Sequence, residues 1–196
     1  MSLEKSTARN LILAFVIIAA AATRFINFGN FSSWSNFTPI GAMALFGGAY
    51  FSDKVKAYGI PLLTLFATDM MVNYIYFQKL VLFYDGAIWV YASFILMVFA
   101  GTFLKKINVV NVLVASLVAV FIHWIVSDIG VVLMAGSIYP KTFGGYLTAL
   151  MAAIPFERNL LAGNLIYGLL MFGSFEWAKA KFPTLNYNNN NSLQHS

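Results

Sequence analysis

Long apolar runs, each bounded by charges, glycine or proline, follow one another along the chain at 10–27, 38–52, 57–77, 86–104, 109–134 and 157–178. The hydrocarbon core of a bilayer is about 30 Å thick and takes about 20 apolar residues per helical crossing, so each run predicts a transmembrane helix. Backbone groups in lipid must be satisfied within their own segment, which a helix does and an open strand does not. The expected fold is therefore an all-α integral membrane protein, a bundle of six transmembrane helices. Of the 196 residues 60% are hydrophobic and only 10% charged, too few for a water-soluble surface. One helical domain, 1–183, accounts for the apolar sequence. The polar tail 184–196, with its asparagine run at 188–191, has no apolar periodicity and is expected to be disordered. A seventh apolar piece, 144–153, is too short to cross and ends at Pro155, which predicts a separate interfacial helix.

Charge sets the expected orientation. With the N-terminus in the cytoplasm, eight basic residues (Lys5, Arg9, Lys54, Lys56, Lys105, Lys106, Lys179, Lys181) fall inside and four (Arg24, Lys79, Lys141, Arg158) outside. Lys and Arg favour the cytoplasmic side, so both termini are expected there. Lys5, Arg9 and the apolar run ending in Ala20-Ala21-Ala22 also resemble a cleaved signal peptide, but the stretch continues to Phe28 and five more spans follow, which favours an uncleaved helix.

An ionisable group within a span costs several kcal/mol unless it is paired or faces a wet cavity, so each is a candidate site residue. Alternating the spans puts Asp69 and Asn73 one turn apart in the outer half of the third helix. His123 falls near mid-depth in the fifth with Asp128 above it, and Glu157, Arg158, Asn159 and Asn164 open the sixth on the outside. Arg24 ends the first. Around this outer set lie Trp34, Asn36, Tyr84, Trp89, Trp124 and Tyr139, the apolar walls with a few polar anchors expected of a small-molecule site. Each group also has a structural reading. The aromatics are equally interfacial anchors, Arg24 and Arg158 either pair with Asp69 and Glu157 or meet a ligand, and His123 is either interhelical glue or a ligand group.

Several classes are excluded or weakened. Cysteine is absent, which removes disulfides and thiolate chemistry. The basic residues are scattered rather than grouped, which argues against nucleic acid. No P-loop, no G-x-S-x-G and no H-E-x-x-H occurs, and only Ser127 four residues after His123 suggests a nucleophile with a base. No catalytic residue, metal site or cofactor is expected. Small residues at spacing four, Ala44 with Gly48, Ala115 with Ala119 and Ala149 with Ala153, predict close helix crossings, as do Gly41 and Gly47.

Four segments carry a resemblance: N-F-T-P-I-G-A-M-A-L-F-G-G-A-Y-F at 36–51, A-T-D at 67–69, Y-P-K-T at 139–142 and I-P-F at 154–156. Together they resemble a family of small bacterial six-span proteins, itself similar to the substrate-binding S-components of energy-coupling-factor vitamin transporters, especially the solitary cobalamin type. The resemblance implies a protein of the bacterial inner membrane that holds a vitamin-sized ligand near its outer face. It also implies either independent action or docking of a transmembrane energising subunit on the first helix, where Ala19 and Ala22 are the candidates. Members of the cobalamin type carry a cobalt-ligating cysteine that is missing here, so a corrinoid is one candidate among others. The expectation is a non-enzymatic carrier of a small organic nutrient, with Asp69 and Asn73 as hydrogen-bonding groups, Arg24 and Arg158 as anion partners, and Trp34, Tyr84 and Trp89 as walls. Its rivals are a membrane scaffold, whose buried charges serve only to join helices, and a small enzyme built on Ser127, His123 and Asp128.

Overall fold

The computed structural model describes residues 2–25 and 36–186. Regular structure among them is helical throughout: α1 (Ser2–Ala22), α2 (Ile40–Tyr50), α3 (Lys54–Phe77), α4 (Ala87–Thr102), α5 (Val109–Leu133) and α6 (Phe143–Lys181), with 3-10 turns at Thr23–Phe25 and Pro183–Asn186. Four helices, α1, α3, α5 and α6, are long and apolar enough to cross a membrane. The remaining two, α2 and α4, are apolar but have 11 and 16 residues. Only 22% of the most apolar stretch of α5 is buried, and large side chains such as Phe15, Ile88, Phe121 and Leu170 point outward. Such a surface suits lipid rather than water and marks the chain as a membrane protein.

The organising element is α2. It is apolar on every side and buried from Gly41 to Gly48, the condition of a helix enclosed by others. Its glycines admit those neighbours. A Cβ on Gly48 would lie 2.1 Å from the Val98 carbonyl oxygen and 3.0 Å from the Gly101 Cα, while one on Gly101 would lie 2.5 Å from the Leu45 carbonyl oxygen, so α2 and α4 cross backbone to backbone. On another side Gly47 receives Pro61 of α3, and Gly41 receives the Asn164 side chain of α6. The close packing expected of Gly41, Gly47 and Gly48 is thus present, each against a different helix.

One end of the bundle is filled with aromatic rings. Phe46 and Tyr50 of α2 pack on Phe172 and Phe175 of α6 with ring centroids 4.6–5.8 Å apart. Each such pair adds to the burial of its area.

Two sequence expectations change. The interfacial helix expected at 144–153 is instead the first part of α6, which runs unbroken through Pro155 for 39 residues. Proline removes one helical hydrogen bond and usually ends a helix. Here both sides of it are tied to α5: the Tyr146 hydroxyl donates to the Ile125 carbonyl (2.6 Å), the Trp124 indole donates to the Leu150 carbonyl (2.9 Å), and Glu157 meets His123. The helical domain also reaches further than 183, because Pro183–Asn186 turns back with Leu185 buried. The rest of the expected disordered tail, 187–196, lies outside the described residues.

The start of α6 is specified locally. The Thr142 hydroxyl accepts the Gly145 amide at 3.1 Å, capping the helix. Thr142→Ala is expected to lower stability by about 1 kcal/mol, the usual worth of such a cap, read as a lower thermal midpoint in detergent.

Candidate functional site

At the end away from the aromatic cluster, α3, α4, α5 and α6, the turn after α1 and the loops around α4 line a cavity of about 560 Å³. That is within the range of small-molecule sites. One ion pair and one imidazole–carboxylate contact join its walls. Arg24, at the end of α1, donates through Nη2 to Asp69 Oδ1 of α3 at 2.7 Å and through Nη1 to the Thr68 hydroxyl. The Tyr91 hydroxyl of α4 donates to Asp69 Oδ2 at 3.2 Å, so both oxygens of this carboxylate are engaged. Across the cavity His123 Nδ1 of α5 lies 3.1 Å from Glu157 Oε1 of α6.

The cavity's free capacity lies elsewhere. Asp128 and Glu157 are each 6% exposed, and Asp128 Oδ2 and Glu157 Oε2 have no hydrogen-bond partner. A buried carboxylate oxygen left unpaired is costly, and both of these residues line the cavity, which makes it a candidate acceptor site. Four carboxylates line the space, Asp69, Asp85, Asp128 and Glu157, against the single guanidinium of Arg24, a formal charge of −3 with His123 neutral. Such a cavity attracts cations.

Loops complete the wall. Asp85 accepts the Ala135 amide at 2.7 Å, tying the segment before α4 to the one after α5. Gly86 has φ 87°, a left-handed conformation that favours glycine, just before α4 begins. Burial pushes the Tyr84 phenol up to about 12, helped by the negative charge of Asp69 and opposed by Arg24. Tyr84 therefore stays protonated at physiological pH, a neutral hydrogen-bonding group on the rim.

Of the residues singled out from sequence, Arg24, Asn36, Asp69 and Tyr84 line this cavity together with His123, Asp128 and Tyr139. Three stand elsewhere than in its lining. Asn73 is buried but turns from the cavity to donate to the Val81 carbonyl at 3.1 Å, holding the chain that leaves α3. Arg158 is exposed and outside the lining, because it follows Glu157 and so points about 100° away around α6. The Trp89 ring sits against Gly130, where a Cβ would come within 2.8 Å, and so backs the wall from behind. Trp34 lies outside the described residues. Arg24 itself lines the cavity bound to Asp69 and Thr68, the pairing that stood as the alternative to an anion-binding role.

Sequence reasoning gave less weight than it should to Glu157, taken there as a partner for Arg158, and missed Asp85 and Tyr91. The single acidic letters at 85 and 157 were visible, but their common destination depends on how three helices are rotated. Ser127, the nucleophile of the rival enzyme reading, also lines the cavity, beside His123, whose Nδ1 is directed to Glu157 rather than to a hydroxyl.

Among known proteins, a family model described as "Family of unknown function (DUF6580)" matches residues 4–185. No curated protein and no solved structure matches the chain.

Proposed function

We propose that this chain, which belongs to the DUF6580 family, is a membrane-embedded binding component of a transporter, similar in kind to an S-component, that takes up a small organic nutrient from the outer side. The observation that carries this reading is the cavity of about 560 Å³ lined by Asp128 and Glu157, each of which keeps a buried oxygen without a partner. A scaffold whose charges only join helices has no use for two buried carboxylate oxygens without partners. The ligand class follows from the same atoms. The net negative lining favours a molecule with a protonated amine or a cationic ring, while Tyr84, Tyr139 and Phe156 offer surface to an apolar body.

In this reading all six helices cross the membrane, with both termini in the cytoplasm. As helices, α2 and α4 span only about 16 and 24 Å, less than the hydrocarbon core. The bias of basic residues places the cavity end outside. On α1, Ala19 and Ala22 lie on the exposed face with Leu11, Phe15 and Ile18, open to lipid or to an energising subunit. Passage of the ligand needs either that partner or a gradient.

The test is a thermal-shift and native mass spectrometry screen of amines, cationic heterocycles and vitamin precursors on the detergent-purified protein. A cationic ligand is expected to stabilise the wild type, and Asp128→Asn or Glu157→Gln to weaken it at least tenfold, since loss of a buried charge partner costs about 2–5 kcal/mol. A well-folded protein that binds none of these compounds would sink the carrier reading. Asp69→Ala is the wrong probe, because it strands Arg24 whether or not a ligand binds.

A further inference from the structure

The opposite end of the bundle holds a second polar cavity, of about 580 Å³, that the carrier function does not use. Four cations from four parts of the chain line it: Arg9 of α1, Lys54 of α3, Lys105 from the segment after α4, and Lys179 of α6, with no carboxylate in the lining. Among the described residues only one has its charge met nearby. Lys179 Nζ lies 2.9 and 3.0 Å from the two oxygens of Glu176, which also accepts the Tyr50 hydroxyl. The acid nearest Lys54 in sequence, Asp53, is occupied in capping α3 through the Val55 and Lys56 amides and lies 4.0 Å from Lys56.

Arg9 is the telling residue. It is only 9% exposed, and its Nη2 donates to the Tyr50 carbonyl at 2.7 Å. Its Nε, although buried, has no partner. An arginine held by one backbone carbonyl with a further donor left over, among two uncompensated lysines, is arranged to receive a multi-oxygen anion, because a guanidinium offers several N–H groups in a plane that matches phosphate. The site lies at the ends of the apolar helices, the depth of lipid headgroups, and basic pockets between helices at that depth hold anionic lipids.

We propose that this cavity binds a phosphate group, with Arg9 as its central donor and Lys54 and Lys105 as its rim. The phosphate is carried by an anionic phospholipid headgroup or is free in solution. The site is independent of the outer cavity and stands whether or not that cavity carries a nutrient.

The experiment uses the full-length protein in detergent, titrated with phosphatidylglycerol or phosphatidylcholine and read by native mass spectrometry, with and without millimolar inorganic phosphate. Wild type is expected to retain phosphatidylglycerol in clear preference to phosphatidylcholine. Lys54→Glu/Lys105→Glu, which alters two exposed side chains and leaves Arg9 in place, is expected to lose about thirtyfold in that preference. Competition by inorganic phosphate, with a raised thermal midpoint, identifies a site for the free anion, and its failure to compete identifies the headgroup. Equal retention of the two lipids with no stabilisation by phosphate overturns the proposal. So does a preference that survives in both the double lysine variant and Arg9→Gln.

Discussion

Asp69→Ala is expected to destabilise the protein by about 3–5 kcal/mol, the cost of leaving a buried charge without its partner. The Arg24 and Asp69 side chains are 12% and 9% exposed, their contact is 2.7 Å, and Tyr91 loses its acceptor at the same time. Replacing both partners tests the mechanism. Arg24→Met/Asp69→Leu removes the two charges together and is expected to recover most of the loss, since a buried pair exchanged for apolar groups of similar size is often neutral. Thermal unfolding in detergent of the two single variants and the double variant measures the coupling. Additive losses would show that the pair does not hold α1 against α3.

A further loss is expected from Gly48→Leu, by a different route. The first atom of the new side chain would lie 2.1 Å from the Val98 carbonyl oxygen, which is backbone and cannot rotate away, so α4 must move off α2. Overpacking of this kind costs about 1–3 kcal/mol and sometimes more, and here it falls on the most enclosed helix of the bundle. Gly59→Ala is the internal control. Nothing lies within 4 Å of its added Cβ, and alanine favours a helix over glycine by about 1 kcal/mol, so that variant is expected to equal or exceed wild type in thermal midpoint. If Gly48→Leu matched Gly59→Ala, the backbone crossing of α2 and α4 would be wrong.

The candidate site was partly legible because depth in a membrane can be read from a linear string. Alternating the spans was enough to put Arg24, Asp69, His123 and Asp128 between mid-depth and the same end of the bundle, and in the structure they line one cavity. Rotation about each helix axis is not legible in the same way. An amphipathic helix in water shows which side faces the core, but α2 is apolar all round and the outward faces of α5 and α6 are as apolar as their inward faces. Arg158 was therefore placed beside its neighbour Glu157 in the site, although the two diverge around α6. Asn73 shares a face with Asp69, yet it is taken up by the Val81 carbonyl, a contact that depends on how the loop after α3 folds back. The error at Pro155 has the same origin, since the bonds that carry α6 through the proline come from α5.

The sequence by itself determined the class of environment and the helical nature of its apolar runs, though not the continuity of α6 through Pro155. Runs of apolar residues long enough to match a bilayer can only be helices, because each must satisfy its own backbone, and their ends were set by charges, caps and glycines close by in the chain. The tertiary structure alone decided which polar groups are already engaged and which remain free. Arg24 is committed to Asp69, while Asp128 and Glu157 each keep an oxygen without a partner, and Arg9 keeps a donor at the far end. Pairing at about 3 Å depends on the packing of helices distant in sequence, here set by the backbone contacts that the glycines of α2 permit.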